Sequence, residues 1–308
     1  MIHNFCIGGL GLRIKGVRSG VPLMSRHFPL FHVKSAGRGD IEWNFHPLDP
    51  VILKRLPLSP EDDPIVSSCL HWGSASPLLQ APAFRKRLSA CRERRSRIAV
   101  ECRPDAVTIL DFGRCRGDVF FVELRPGAND GFGDERILGA GLLAPFLPFH
   151  GAFMLHAAGI VDGDGGTAAL FLAPDEGGKT TAARLSRPGI IIDDDQVVLR
   201  RERGGFWVHG TPWGLISAGP IKAKLGGIFL LEKARRFLLT PLKAADAVGF
   251  IWDEHRNMTD FIPAEMRKKA FVLITDACSS VPVFRLRFSK DSLDWQAVAG
   301  RSGAGNLL

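Results

Sequence analysis

Residues 167–199 read TAALFLAPDEGGKTTAARLSRPGIIIDDDQVVL, and the reading of this stretch decides the fold. Thr167 to Leu172 is a short continuous apolar run suited to a central strand. Thr180 to Leu185 opens a short helix, and Gly189 to Ile192 leads into a further strand with Asp193, Asp194 and Asp195 along it. Strand, loop, helix and strand in that order predict an α/β unit with α+β tendencies. Between the first strand and the helix lies Ala173-Pro174-Asp175-Glu176-Gly177-Gly178-Lys179-Thr180-Thr181. In a phosphate loop the backbone N–H groups turn inward around the β- and γ-phosphates, and the loop feeds a helix whose unpaired N–H groups favour an anion. Gly177 and Gly178 permit the close backbone approach. Lys179 can reach the phosphates, Thr180 is the hydroxyl that would ligate Mg²⁺, and Thr181 follows in the same turn. Ala173 stands where the usual motif begins with glycine.

The acidic triplet is the second half of the signal. Adjacent carboxylates repel one another and cost desolvation if buried, so a strand end carrying three of them suits a cation or a proton-accepting role. A turn cap or a solvated edge is the plain alternative. The short helix returns the chain beside the loop, so Lys179, Thr180 and a carboxylate are expected to converge on a nucleoside triphosphate and its metal, ATP with Mg²⁺. Asp195 is assigned to the metal and Asp194 to the acceptor hydroxyl, although the two could exchange roles. Arg235 or Arg236 could add a positive contact to the phosphates.

Working outward, Ile137 to Val161 holds no Asp, Glu, Lys or Arg and is long enough to cross a membrane. It is interrupted by Pro145 and Pro148 and followed by DGDGG, a turn signal. It therefore reads as a buried or partly buried helix, Ile137 to Phe149, that breaks at the prolines and gives way to a core strand, Phe153 to Val161. After the aspartates, Gln196 to Arg201 and Phe206 to His209 read as a hairpin, Leu238 to Ile251 as a helix, and Val281 to Phe288 as an alternating strand. The first third is turn-rich. It offers a first strand in MIHNFCIGGLGLRIKG and a hairpin of Val107 to Phe112 with Asp118 to Leu124. RPGANDGFG at 125–133 suggests a division near residue 135, into a β-containing region 1–135 and a nucleotide-binding domain 136–308.

Composition bounds the reading. The 308 residues, 45 % of them apolar, suffice for a substantial core, so disorder is not expected. The formal charge of +8 is concentrated in Arg85 to Arg97, where seven cations meet only Glu93. Such a run fits an acidic partner or a solvated helix face; it lacks the interleaved aromatics that stack bases, so nucleic acid is not the expected partner. The six cysteines are scattered, without zinc spacing or disulfide density, and no secretion signal opens the chain. A cytoplasmic protein with reduced thiols and no membrane span is expected. Homo-oligomerisation is left open.

The run LHAAGIVDGDGGTAALFLAPDEGGKTTAARL, followed by GIIIDDDQVVL, resembles the core of the HPr kinase/phosphorylase family, itself similar to ATP-dependent phosphoenolpyruvate carboxykinase. The later segments VHGTPW, GGIFLLEKA and VPVFRLRFSKDSLDW resemble the HPr-kinase-like relatives of that enzyme more than the regulatory kinase itself. The resemblance spans roughly residues 150–295. It implies a P-loop core with a mixed sheet and matches Gly177 to Thr180 to the family's phosphate loop. It also sets Asp194 and Asp195 on the family's acidic pair, and His156 facing the transferred phosphate. Glu176 stands where the family has small residues, and the glycine-rich signature of the phosphorolytic reaction is missing. The implied activity is a kinase, a transferase moving the γ-phosphoryl of ATP to a hydroxyl of a peptide, protein or small molecule. Lys179, His156 and Asp194 would be its catalytic residues. A nucleotide-binding assembly factor of a peptide-modification system, without transfer of its own, is the alternative.

Overall fold

The computed structural model describes residues 2–15, 28–34, 39–47, 64–66, 98–102, 106–121, 143–163, 166–259 and 264–302. The expected first strand is a hairpin. Ile2–Ile7 (β1) and Leu10–Lys15 (β2) pair antiparallel with Ile7 opposite Leu10. Gly8 and Gly9 between them have φ of 60° and 71°. Two positive φ values in a two-residue loop match the twist of the flanking strands, and glycine adopts them without a Cβ clash. Alternation then buries Phe5, Ile7, Leu10, Leu12 and Ile14 on one face. A single helical turn (α1, Phe28–Phe31) precedes β3 (Ile41–Pro47), β4 (Pro64–Val66), β5 (Ile98–Cys102), β6 (Ala106–Asp111) and β7 (Arg116–Phe121). β6 and β7 are the expected hairpin over its described part. These seven strands form one sheet in the order β1-β2-β3-β7-β6-β5-β4. The basic run 85–97 lies outside the described residues.

Of the helix expected over Ile137 to Phe149, the described part is helical only at Leu143; a turn follows, then one turn of 3₁₀ helix at Leu147–His150. The break falls at Pro145, whose ring removes a donor and clashes with the preceding turn, so helix does not continue to Phe149. Then come β8 (Ala152–Val161), β9 (Ala168–Leu172), α2 (Lys179–Leu185), β10 (Ile190–Asp193), β11 (Gln196–Glu202), β12 (Gly205–Gly210), β13 (Lys222–Lys233) and β14 (Leu238–Leu242). The chain continues through α3 (Ala244–Thr259), α4 (Ala264–Ser279), β15 (Val283–Phe288) and α5 (Trp295–Ser302). The span Leu238 to Ile251 is thus a strand followed by a helix rather than one helix. Pro241 sits on the edge strand opposite Phe284, a place proline tolerates, and the Asp246 carboxylate accepts from Lys243 N–H at the helix start.

The second sheet has eight strands in the order β10-β8-β11-β12-β13-β15-β14, and β9 fills the gap between β8 and β13. β9 runs parallel to β13 and antiparallel to β8. It is buried along its whole length: Leu170 and Leu172 face the cluster built with α3 and α4, while Phe171 faces the one built with α2 and α5. A strand covered on both faces has no polar side to show, which is why TAALFL carries no alternation. Each such buried Leu or Phe contributes on the order of 1.5–3 kcal/mol relative to exposure. A third cluster joins the two sheets, combining Phe5, Ile14 and Trp43 with Phe146, Met154, Val198 and Trp213. The whole is a mixed α/β fold. Among the described residues no helix is long and apolar enough to cross a membrane.

Candidate functional site

β9 delivers the chain, at Leu172, into the loop 173–178. Gly177 N–H donates to Pro174 O at 3.0 Å, closing the loop on itself. Any Cβ on Gly177 would lie 2.5 Å from the Ala173 Cβ, so this position is tight against its own loop. Gly178, with φ of 101°, ends the loop, and Ala182 N–H donates to its carbonyl as the first bond of α2. Glu176 holds a left-handed φ of 58° and is exposed, so its carboxylate points outward. Thr180 and Thr181, in the first turn, are partly buried.

Lys179 is only 6 % exposed, and its ammonium donates to Ala173 O at 2.8 Å and Pro174 O at 3.1 Å. An ammonium has three N–H donors, so one remains for a ligand at the loop. Burial pulls the Lys179 pKa below its usual value, while the negative charges of Asp175, Asp195 and Glu254 oppose that shift. Glu254 comes from α3, 75 positions along the chain, and nothing in its local sequence marks it. Asp175 was readable only as part of the loop.

His156 reaches the same place from β8. Its backbone pairs with Gln196, which sets the imidazole beside the residue before Gln196. His156 Nε2 lies 3.0 Å from Asp195 Oδ1 and 3.5 Å from Asp175 Oδ1. The loop and the acidic turn thus meet, with Asp175, Asp195, His156 and Lys179 as the side chains brought together.

The aspartates do not run along a strand. β10 ends at Asp193 after an irregularity in its pairing with β8, and Asp194 and Asp195 occupy the bend before β11. Asp193 is fully buried: Oδ1 accepts from the N–H groups of Asp195 (3.0 Å) and Gln196 (2.9 Å), and Oδ2 from the N–H and hydroxyl of Thr211. Burial pushes its carboxyl up to about 7, against the opposing effect of those donated hydrogen bonds. Asp194 is also fully buried. Its Oδ1 accepts from Ile216 N–H at 2.8 Å, its own N–H donates to Ile216 O, and Oδ2 has no hydrogen bond among the described residues. Asp195 alone of the three keeps part of its side chain exposed, at 22 %. Asp193 therefore holds the bend, Asp194 ties it to the segment 211–217, and Asp195 faces the loop. In the sequence Thr211 figures only within VHGTPW and Ile216 not at all, because their role follows from long-range pairing.

Among the described residues, no three His, Cys, Asp or Glu side chains come together in a metal cage. A cleft of about 580 Å³ between the start of β8 and α4, lined by Phe149, Arg201, Lys268, Lys269 and Val272, does not include the loop. No protein-family model matches the chain, and no curated protein matches it.

Proposed function

We propose that the protein binds a nucleoside triphosphate on the loop 173–178 and transfers its γ-phosphoryl group to a hydroxyl acceptor. The observation that carries this reading is the enclosed Lys179 ammonium at a strand-loop-helix junction, with His156 and Asp195 at its side. The core would then be of the P-loop, HPr-kinase-like kind that the sequence resembles, within the mixed sheet described above.

Lys179 and the Gly178 N–H would hold the phosphates and take up charge as transfer proceeds, Gly177 N–H being spent on Pro174 O. Mg²⁺ fits this donor set without a cage, because it takes one or two protein oxygens and fills its other positions with phosphate and water. Thr180 and Asp195 would hold it, and its charge would offset that of the phosphates. The acceptor oxygen bonds to the γ-phosphorus, the bond to the β,γ-bridging oxygen breaks, and the nucleoside diphosphate leaves. The hydroxyl proton passes to His156, oriented by Asp195. Asp194, the base expected from the sequence, is enclosed under the 211–217 segment and takes the proton only if that segment opens. The enclosure also supports the second reading, a nucleotide-binding partner that transfers nothing.

Titration of the full chain with Mg-ATP and with adenosine, followed by measurement of steady ADP release, tests both. Binding with ADP release supports the transferase; binding without it, with peptide, protein or small-molecule hydroxyls present, leaves the binding partner. Absence of any Mg-ATP binding sinks both.

A further inference from the structure

We infer that Lys233 is a second phosphate-binding cation at this site, distinct from Lys179; the inference rests on the nucleotide reading above. The strand register puts it there. β13 runs parallel to β9, with Leu230 paired to Leu172, the last residue before the loop. β9 turns away at that point, but β13 continues through Leu231, Glu232 and Lys233, held on its other edge by β15 up to the pair Lys233 with Phe288. The end of β13 therefore runs beside the phosphate loop.

Alternation chooses the face. Phe229 and Leu231 belong to the cluster that contains Ala182 and Ala183 of α2, so Lys233, two residues on, shares the face that carries the loop and α2. Glu232 points the opposite way and pairs there with Arg287 at 2.9 Å and Arg285 at 3.6 Å. No other acid lies on β13 to neutralise Lys233. The side chain then reaches Gly178 itself. A Cβ built on Gly178 would sit 3.9 Å from Lys233 Cε and 3.1 Å from Phe288 Cζ. The stem thus passes close to Gly178, and because Lys233 is exposed its ammonium stays on the solvent side of the loop.

Charge balance gives this cation work to do. Asp175 and Glu176 are in the loop, Asp195 and Glu254 act on it from outside, and Lys179 spends two of its donors on loop carbonyls. A triphosphate brings further negative charge to a place where carboxylates already outnumber the one buried ammonium. Lys233 offsets that repulsion from the solvent side.

The experiment compares full-length wild type with Lys233→Ala and Lys233→Arg by calorimetric titration of Mg-ATP at low and high salt, with thermal melts of each unliganded protein. Lys233 is exposed, so the melts should coincide. Lys233→Ala should weaken Mg-ATP by about tenfold at low salt, as loss of one charge-assisted contact does, and the gap should narrow at high salt. Lys233→Arg should stay close to wild type. Equal affinity of wild type and Lys233→Ala, or a difference that ignores salt or accompanies a lowered melting temperature, overturns the inference and leaves nucleotide binding standing. Failure of wild type itself to bind Mg-ATP overturns the nucleotide reading and this inference with it.

Discussion

His156 Nε2 stands 3.0 Å from Asp195 Oδ1 across a sequence separation of 39 residues. The contact exists because β8 and β11 pair antiparallel with His156 opposite Gln196, so any shift of that register would part the two side chains. If the pair handles the acceptor proton, His156→Ala should lower ADP release by about 10²- to 10⁴-fold, the range of positioned proton transfer, and leave Mg-ATP affinity nearly unchanged. Asp195→Asn should reduce both metal-dependent binding and turnover. Unchanged ADP release in His156→Ala would remove the imidazole from the mechanism.

If the loop holds a triphosphate, Lys179→Ala should weaken ATP far more than adenosine, since only the phosphates would meet the ammonium. The same change removes the two bonds to Ala173 and Pro174 carbonyls, so the loop should also become easier to cleave by protease in the absence of ligand. Calorimetry giving one ATP affinity for both proteins contradicts the assignment.

Asp193 ties stability to pH. Its carboxyl is raised from 3.8 to about 7 by burial, so below that value the folded chain keeps a proton that an unfolded aspartate releases near 4. The folded state binds the extra proton between those values, so this group's contribution to stability is fully present below about pH 4 and is lost as pH rises towards about 7. Denaturant melts of wild type and Asp193→Asn across that window should show a difference that changes with pH and flattens above it. Parallel curves would mean that Asp193 is ionised in the fold throughout.

Gly178→Ala should destabilise the protein by about 1–2 kcal/mol, because a side chain is disfavoured in the left-handed region. The new methyl would also press on Phe288 at 3.1 Å. Chemical denaturation measures the loss directly; a neutral outcome would show that the loop relaxes without cost.

Cys278 lies fully buried in α4, and burial pushes its thiol up to about 12. Thiolate is the reactive form, so Cys278 should resist alkylation in the native protein and react once denatured. Mass spectrometry of iodoacetamide-treated protein at neutral pH reads this residue by residue, and rapid native labelling of Cys278 would show that α4 opens.

The strand, loop and helix from Ala168 to Leu185 were legible because their signals are local: a continuous apolar run, two glycines and a lysine in six consecutive residues, and a helix opening. The β6–β7 and β11–β12 hairpins were legible for the same reason, since glycine-bounded turns sit between β-rich runs. The division of labour among Asp193, Asp194 and Asp195 was not. It depends on an irregular pairing near Ile191 and on a segment at 211–217 that approaches only in three dimensions. A regular strand would set Asp193 and Asp195 on one side, whereas the bend makes one a support for the other. Pro241 could have divided Leu238 to Ile251, because proline inside a helix costs a hydrogen bond. Glu254 carries no local mark, and Lys233 stands in the sequence only as a member of GGIFLLEKA; the packing of α3 and the extra length of β13 bring them to the loop.

Trp213 belongs to the apolar cluster shared by both sheets, and its backbone N–H donates to the Thr211 hydroxyl that in turn reaches Asp193. The amino-terminal sheet is therefore part of the scaffolding behind the acidic bend. A fragment starting at residue 136 would leave Met154, Val198 and Trp213 facing water, a sticky surface that invites self-association, and would slacken the turn that presents Asp195.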